Sequence, residues 1–285
     1  MSVNTNASNH IVIPIDASPS HISLTPKLYT LVVLLLIATI AGIGSDSRGI
    51  INAGIAMITA ILLDGAIFIL QSRKRLFSDG GVITGLIVAL VLGSSTAWYI
   101  IAGSTAIAIG SKHVFKIKNK PIFNPAALGL LVAIFLFTSD QSWWGAFTLL
   151  PVRSFSFLLI GGFLVTERVN KFPQVLTFLG GYFVLLLVMG YYGVGIAGDA
   201  LRTPFINSAL FLAFFMLTDL PTSPGKYKDQ IWFGMITAIV SIIIYLLFGG
   251  LTYLLIGLLV ANGWNALRVH ISSRTKTDGS GQLTW

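Results

Sequence analysis

The chain contains no cysteine among its 285 residues. This absence excludes disulfide bonds, thiolate catalysis and cysteine-held iron–sulfur clusters within the chain. Charged residues are scarce at 10%, whereas a soluble domain normally carries about 25%. Only four histidines are present and none lies inside a clear apolar run, which argues against a haem held between membrane helices. We therefore predict no metal site and no catalytic residue set.

The abundant residues are hydrophobic: they make up 55% of the chain, and the mean hydropathy is +0.85. This composition predicts an all-α polytopic membrane protein. The 18 lysines and arginines outnumber the 10 acidic residues. They lie in short loops between apolar runs, where membrane topology explains them better than nucleic-acid binding does. The apolar runs amount to about ten crossings, and the basic clusters then all fall on the cytoplasmic side of a cell (inner or plasma) membrane, with both termini.

The predicted domain organisation follows from these runs. Residues 1–26 are polar and are expected to form a disordered cytoplasmic tail. Residues 27–270 form a single transmembrane domain, divided into one repeat at about 27–140 and a second at about 152–268. Residues 271–285 form a second cytoplasmic tail.

The two repeats are proposed from a motif that occurs twice. Asn124-Pro125 opens an apolar helix, because Asn is a good N-cap and Pro is tolerated at the first helical position. The run that follows, Ala126 to Phe137, is shorter than the roughly 20 residues needed to cross a bilayer, which indicates a half-membrane helix. The same pattern, P-x-x-N-x-A, returns 83 positions later at Asn207. Paired interrupted helices indicate a binding site between repeats; the alternative is that two capped helices share these residues by chance.

Two local structures have further predictions. The runs Val82 to Leu92 and Ala97 to Ile109 form either a hairpin of short helices or one long broken span. Trp143 and Trp144, in the loop after the Asn124 helix, are predicted to anchor the outer membrane interface.

Asp64 lies well inside an apolar span. An ionisable group there costs about 2.5 to 3.5 kcal/mol, so it usually faces a cavity or a partner. One interpretation makes Asp64 part of an ion or proton pathway or a polar contact to a cofactor. The other is that it hydrogen-bonds a backbone break in the neighbouring repeat and only holds helices together.

Thr218 and Asp219 follow the second Asn helix and begin a loop rich in proline and hydroxyl groups. Asp219 either caps the next segment or forms a polar wall of the site. The helix N-termini at Asn124 and Asn207 are suited to a phosphate or another anion. Lys112, Lys118 and Lys120 either assist there or form a solvated topology cluster.

Three motifs occur in order along the chain: Asp79-Gly-Gly-Val-Ile-Thr84-Gly, Ile122-Phe-Asn124-Pro-Ala126-Ala127-Leu-Gly129, and Phe214-Phe-Met-Leu-Thr218-Asp219-Leu-Pro-Thr222-Ser223-Pro224. Together they resemble the RnfD component of the Rnf electron-transport complex and the related NqrB component of the sodium-translocating NADH:quinone oxidoreductase. The resemblance covers about Lys27 to Arg268. It implies a urea-transporter-like fold of ten helices in two repeats.

The resemblance also implies flavin binding within a complex that couples electron transfer to Na⁺ or H⁺ movement. Members of the family attach FMN to a threonine in the loop after the N-P-A helix. Here Thr148, in G-A-F-T-L, is an approximate match in a shorter loop. Alternatively, FMN or riboflavin binds noncovalently between the half-helices. The residues expected to contact the flavin noncovalently are Asn124, Ala126, Asn207, Thr218 and Asp219.

The chain is therefore predicted to act as one membrane subunit among several in an electron-transport complex, part of an oxidoreductase or translocase and not an enzyme alone. Its partners are the other subunits and the lipid bilayer, and no nucleic acid. Two other functions fit the same fold: a small-solute channel or transporter with no redox role, and a membrane anchoring subunit that binds no flavin itself.

Overall fold

A computed structural model describes residues 25–71, 79–117, 120–194 and 197–279 of the chain. These residues form ten α-helices and one two-residue β-hairpin, so the prediction of an all-α polytopic membrane protein is confirmed. The helices are α1 Pro26–Gly44, α2 Arg48–Leu70, α3 Asp79–Val91, α4 Trp98–Val114, α5 Pro125–Phe137, α6 Phe155–Val169, α7 Phe172–Tyr191, α8 Thr203–Phe211, α9 Tyr227–Phe248 and α10 Thr252–Gly279. The hairpin strands are β1 Lys116–Ile117 and β2 Lys120–Pro121, paired antiparallel.

Five of these helices, α1, α2, α7, α9 and the stretch Thr252–Ile271 of α10, are long and apolar enough to cross a membrane. The apolar helices α3, α5 and α8 are shorter. Helices α3 and α4 are separate and pack against each other across a short turn at 92–97, which is the hairpin alternative for this region.

Helix α5 begins as its sequence predicts. The side chain of Asn124 accepts a hydrogen bond from the Ala127 amide at 3.0 Å, and Pro125 occupies the first turn. The helix ends at Phe137, where Thr138 takes a left-handed conformation with φ of 47°. With 13 residues, α5 is about 20 Å long and so falls short of a full span.

The prediction that Asn207 caps a second half-helix is wrong. Helix α8 begins at Thr203, after an extended Arg202, and Asn207 is its fifth residue. The reason lies in the prolines: Pro204 falls in the first turn of α8 and starts the helix before Asn207, whereas Pro125 directly follows Asn124. The side chain of Asn207 is buried and donates to the Phe147 carbonyl at 3.5 Å.

Helix α8 continues into a buried π-helical turn, Leu212–Met216. The Leu217 amide bonds to the Leu212 carbonyl, five residues back. Such turns shift the backbone register and leave nearby carbonyls without helical partners, and they are frequent at functional sites.

Helix packing divides the chain into α1–α5 and α6–α10. In the first half α4 packs against α2 and α5, and in the second half α9 packs against α7 and α10. By this order α5 corresponds to α10, not to α8. The pairing of Asn124 with Asn207 therefore does not follow the packing, and a urea-transporter-like repeat stays a prediction.

The prediction that Trp143 and Trp144 are interfacial anchors is also wrong. Both side chains are only 1% exposed. The indole of Trp144 donates to the Ala89 carbonyl at 2.7 Å, and that of Trp143 donates to Gln141 Oε1 at 3.0 Å. The loop after α5 folds back onto the end of α3 and places both rings in the core.

Several predictions fall outside the described residues. They concern most of the N-terminal tail (1–24), residues 72–78 and the side chain of Lys118. At the other end, α10 runs on to Gly279, so the predicted C-terminal tail begins as a continuation of this helix.

Candidate functional site

A cavity of about 510 Å³ lies at the end of the molecule where α5 begins. Its walls come from the start of α1, the first two turns of α3, the end of α4, the β-hairpin, the first residues of α5 and the segment 215–221. We call it the α5 cavity. Three predicted site residues other than Asp219 line it: Asn124, Ala126 and Thr218.

Positive charge dominates the α5 cavity. Four lysines line it, and Asp219 is the carboxylate among the described lining residues. The lysines are Lys27, Lys112, Lys116 and Lys120. Three of them, all except Lys112, have exposed side chains, so they form the solvent-facing edge. An anion entering from this side meets a favourable field.

The interior of the cavity is apolar with a few polar groups. Ile83, Ile87 and Phe215 provide apolar surface. The backbone amide of Ala126, in the first turn of α5, has no acceptor in the described part of the chain and is available to a ligand. A cationic edge, an apolar wall and a free amide together suit a flat amphiphilic molecule with oxygen acceptors.

Asp219 lies just after the π-helical turn, in the cavity wall. Its Oδ2 accepts a hydrogen bond from the Thr222 hydroxyl at 2.8 Å, and its backbone carbonyl accepts from Ser223. The residue is partly accessible, but only limited water reaches the carboxyl, and this burial raises its pKa. The Thr222 hydroxyl and the lysines Lys27, Lys171 and Lys112 oppose the rise. Asp219 thus both turns the loop and lines the cavity.

Asp64 is held in a buried ion pair behind the cavity wall. Lys112 Nζ donates to Asp64 Oδ2 at 2.5 Å, and His113 Nε2 lies 3.3 Å from Oδ1. Helix α3 passes so close that a Cβ on Gly81 would lie 2.2 Å from Asp64 Oδ2. Asp64 therefore fixes the orientation of Lys112, and it pairs with side chains of α4 where a bond to a broken backbone was one expectation.

Asn124 links the two halves of the chain. Its side-chain amide donates to the Met216 carbonyl at 3.0 Å, and its backbone amide donates to Asn262 Oδ1 at 2.8 Å. The next carbonyl, Leu217, accepts from Gln174 Nε2 at 2.8 Å. These amides satisfy the carbonyls that the π-helical turn frees.

Lys171 is buried before the start of α7, with 3% of its surface exposed. Its Nζ donates to the Pro224 carbonyl at 2.5 Å. Burial lowers its pKa to about 8, and the charge of Asp219 partly opposes the change. Lys171 thus ties the α6–α7 connection to the loop that contains Asp219.

Thr148 and Asn207 lie elsewhere. Thr148 belongs to the loop after the other end of α5, and its hydroxyl donates to the Ser142 carbonyl at 2.7 Å. Asn207 bonds the neighbouring Phe147. Because α5 is about 20 Å long, these two residues are separated from the α5 cavity.

Sequence reasoning missed three polar residues that organise the site: Gln174, Asn262 and Lys171. A signal was available for two of them, because Gln174 and Asn262 are amides within apolar stretches, where a buried hydrogen-bonding role is the usual reason for their presence. Lys171 gave no such signal, since it follows Glu167 and Arg168 in what resembles an ordinary loop.

The family model described as NQR2, RnfD, RnfE matches residues 18–150 and 146–267. The chain belongs to this family. As the resemblance implied, this NQR2, RnfD, RnfE family member is a multi-pass membrane protein.

Curated relatives of this family member are named as the RnfD-type component of an ion-translocating oxidoreductase complex. The protein from Yersinia enterocolitica is 27% identical over 124 residues, 40% of this chain and 35% of the relative. That from Aliivibrio salmonicida is 26% identical over 155 residues, 50% of this chain and 43% of the relative. That from Yersinia pseudotuberculosis is 30% identical over 125 residues, 40% and 35%. The aligned stretches thus span less than half the length of each relative.

Proposed function

We propose that the chain is a membrane subunit of an Rnf-type ion-translocating oxidoreductase complex, that it binds a flavin, and that it passes electrons in a reaction coupled to Na⁺ or H⁺ movement. Family membership and the names of the relatives support the place in a complex. Its partners would be the other subunits of that complex, in the inner or plasma membrane.

The observation behind flavin binding is the α5 cavity. Its volume of about 510 Å³ lies within the range of about 300 to 1,000 Å³ usual for ligand pockets. The isoalloxazine ring fits against Ile83, Ile87 and Phe215, where the amide of Ala126 supplies a donor to a ring oxygen. The lysines at the edge suit a phosphate, as in FMN, and riboflavin would use the ring contacts alone. The flavin would supply one-electron and two-electron redox chemistry.

Thr148 is the second place for a flavin. Covalent FMN there requires its hydroxyl to exchange its hydrogen bond to Ser142 for a phosphoester bond. The loop is at the end of α5 opposite to the cavity, so a flavin on Thr148 and one in the α5 cavity would be two different cofactors.

Asp64 is our proposed group for ion movement. A cation or proton that reaches its carboxylate has to displace the ammonium group of Lys112, because this group occupies Oδ2 at 2.5 Å. No group of three or more histidine and acidic side chains suited to a metal occurs in the residues that the structure covers. A cation near Asp64 would therefore bind transiently.

The test is the visible absorption spectrum of detergent-purified protein, followed by acid precipitation. Flavin that is released supports the α5 cavity, and flavin that stays in the pellet and disappears in Thr148→Val supports covalent FMN. Thr84→Phe places a ring in the cavity and is expected to abolish the released fraction. The matched control is Gly110→Phe, since nothing lies within 4 Å of a Cβ there. A colourless protein, even after addition of FMN and riboflavin, contradicts the flavin proposal; solute flux in liposomes would then favour a channel.

A further inference from the structure

Asp219 has an oxygen with no partner. Oδ2 accepts from Thr222, whereas Oδ1 has no hydrogen-bond donor in the described part of the chain, and no described lysine or arginine lies within ion-pair distance. Asp64 differs, because Lys112 and His113 occupy both of its oxygens. The α5 cavity thus contains one carboxyl group with a free oxygen, among the residues described.

The groups around this carboxyl are cationic and come from several elements. They are Lys27 of α1, Lys112 and His113 of α4, Lys116 and Lys120 of the hairpin, and Lys171 before α7. The positive charges favour the carboxylate and burial favours the neutral acid; burial has the larger effect, so the pKa of Asp219 is raised. A carboxyl group with this balance changes protonation state easily when the charge of a nearby ligand changes.

We propose that Asp219 exchanges a proton with the redox ligand held in the α5 cavity. This inference rests on the proposed function, since it needs a flavin there. When a one-electron donor in another part of the complex reduces the ligand, the O–H bond of Asp219 breaks. The proton passes to a ring nitrogen of the flavin, and the bonding electron pair stays on the carboxylate.

Water from the lysine-lined edge then returns a proton to Asp219. On reoxidation the N–H bond of the ligand breaks, its proton returns to the carboxylate or to that water, and the electron leaves to an acceptor elsewhere in the complex. Asp219 stands at the edge of the π-helical turn and is fixed by Thr222 and Ser223, so it keeps its position while its charge changes.

The first experiment needs no flavin. Dicyclohexylcarbodiimide, an apolar reagent, reacts with protonated carboxyl groups, and peptide mass spectrometry locates the product. In the purified protein we expect Asp219 to be labelled about tenfold more than Asp64, and the labelling to fall as the pH rises. Added flavin should protect Asp219. Equal labelling of the two residues, or none at Asp219, would overturn the inference whether or not flavin binds.

The second experiment uses the flavin-loaded protein and the variants Asp219→Asn and Asp219→Glu. The midpoint potential of the flavin is measured against pH. We expect a change of slope at the pH where Asp219 titrates, lost in Asp219→Asn and restored in Asp219→Glu. If Asp219→Asn binds flavin with an unchanged pH dependence, the proton exchange is wrong and the flavin site stands. If wild-type protein binds no flavin, the proposed function fails and this inference fails with it.

Discussion

The backbone amide of Asn124 donates to the side-chain oxygen of Asn262 across 2.8 Å, which joins the first residue before α5 to the middle of α10. Neither residue is more than 2% exposed. This bond connects the two halves of the chain at the cavity wall, and Asn262 also lies 3.4 Å from the Thr222 carbonyl in the loop of Asp219.

Replacing Asn262 by alanine should therefore loosen the site. The change leaves the Asn124 amide buried without an acceptor, which costs about 1 to 3 kcal/mol. We expect a lower midpoint of thermal unfolding in detergent and weaker retention of any noncovalent flavin. The control is Asn265→Ala, one turn along α10, which loses a bond to the same Thr222 carbonyl but none to Asn124. Equal effects of the two variants would contradict the role given to Asn262.

The ion pair of Asp64 with Lys112 gives a second prediction. Lys112→Met leaves a buried carboxylate without its main partner, and breaking such a pair costs about 3 to 5 kcal/mol. The double variant with Asp64→Asn should recover most of this loss, because no charge remains buried. Thermal unfolding of the four proteins in a double-mutant cycle measures the coupling. Lys116→Met, at the exposed edge of the same cavity, serves as control and should change stability little.

Local signals in the sequence predicted well what depends on neighbouring residues. The start of α5 follows from Asn124-Pro125, which cap and begin a helix without help from the rest of the fold. Asp64 stood out as one charge in an apolar run. Its partner Lys112 is 48 positions away in a basic stretch, where membrane topology was an equally good explanation.

What sequence could not supply was the long-range packing. Trp143 and Trp144 have the composition of interfacial anchors, and only the return of their loop onto α3 buries them. Asn207 repeats the pattern of Asn124, but Pro204 moves the start of its helix by four residues. The α5 cavity gathers several separate segments, so its membership depends on the tertiary structure and not on any single motif.

Lys171 predicts how stability depends on pH. Its pKa falls from 10.5 in the unfolded chain to about 8 in the fold. Between these values the unfolded chain binds more protons, so the free energy of unfolding rises with pH across this window. We expect the unfolding midpoint of the wild type to rise relative to that of Lys171→Met from pH 8 upwards. Parallel pH profiles of the two proteins would show that Lys171 keeps its ordinary pKa.

Gly81 offers the sharpest steric prediction. A Cβ at this position would lie 2.2 Å from Asp64 Oδ2, so Gly81→Ala must push α3 away from α2 or break the pair with Lys112. Overpacking of this kind costs about 1 to 3 kcal/mol. Gly54→Ala, on α2, is the matched control, because nothing lies within 4 Å of its added methyl group. Alanine favours a helix over glycine by about 1 kcal/mol, so the control should be neutral or stabilising.

The contact itself can be tested by removing its other side. In an Asp64→Ala background the carboxylate is gone, and the alanine at position 81 then meets only the Asp64 Cβ position, at 3.5 Å. Gly81→Ala should therefore cost much less there than in the wild type, as measured by thermal unfolding. If its cost is the same in both backgrounds, the clash is with another part of α2, and the close approach of α3 does not serve to hold Asp64 in its pair with Lys112.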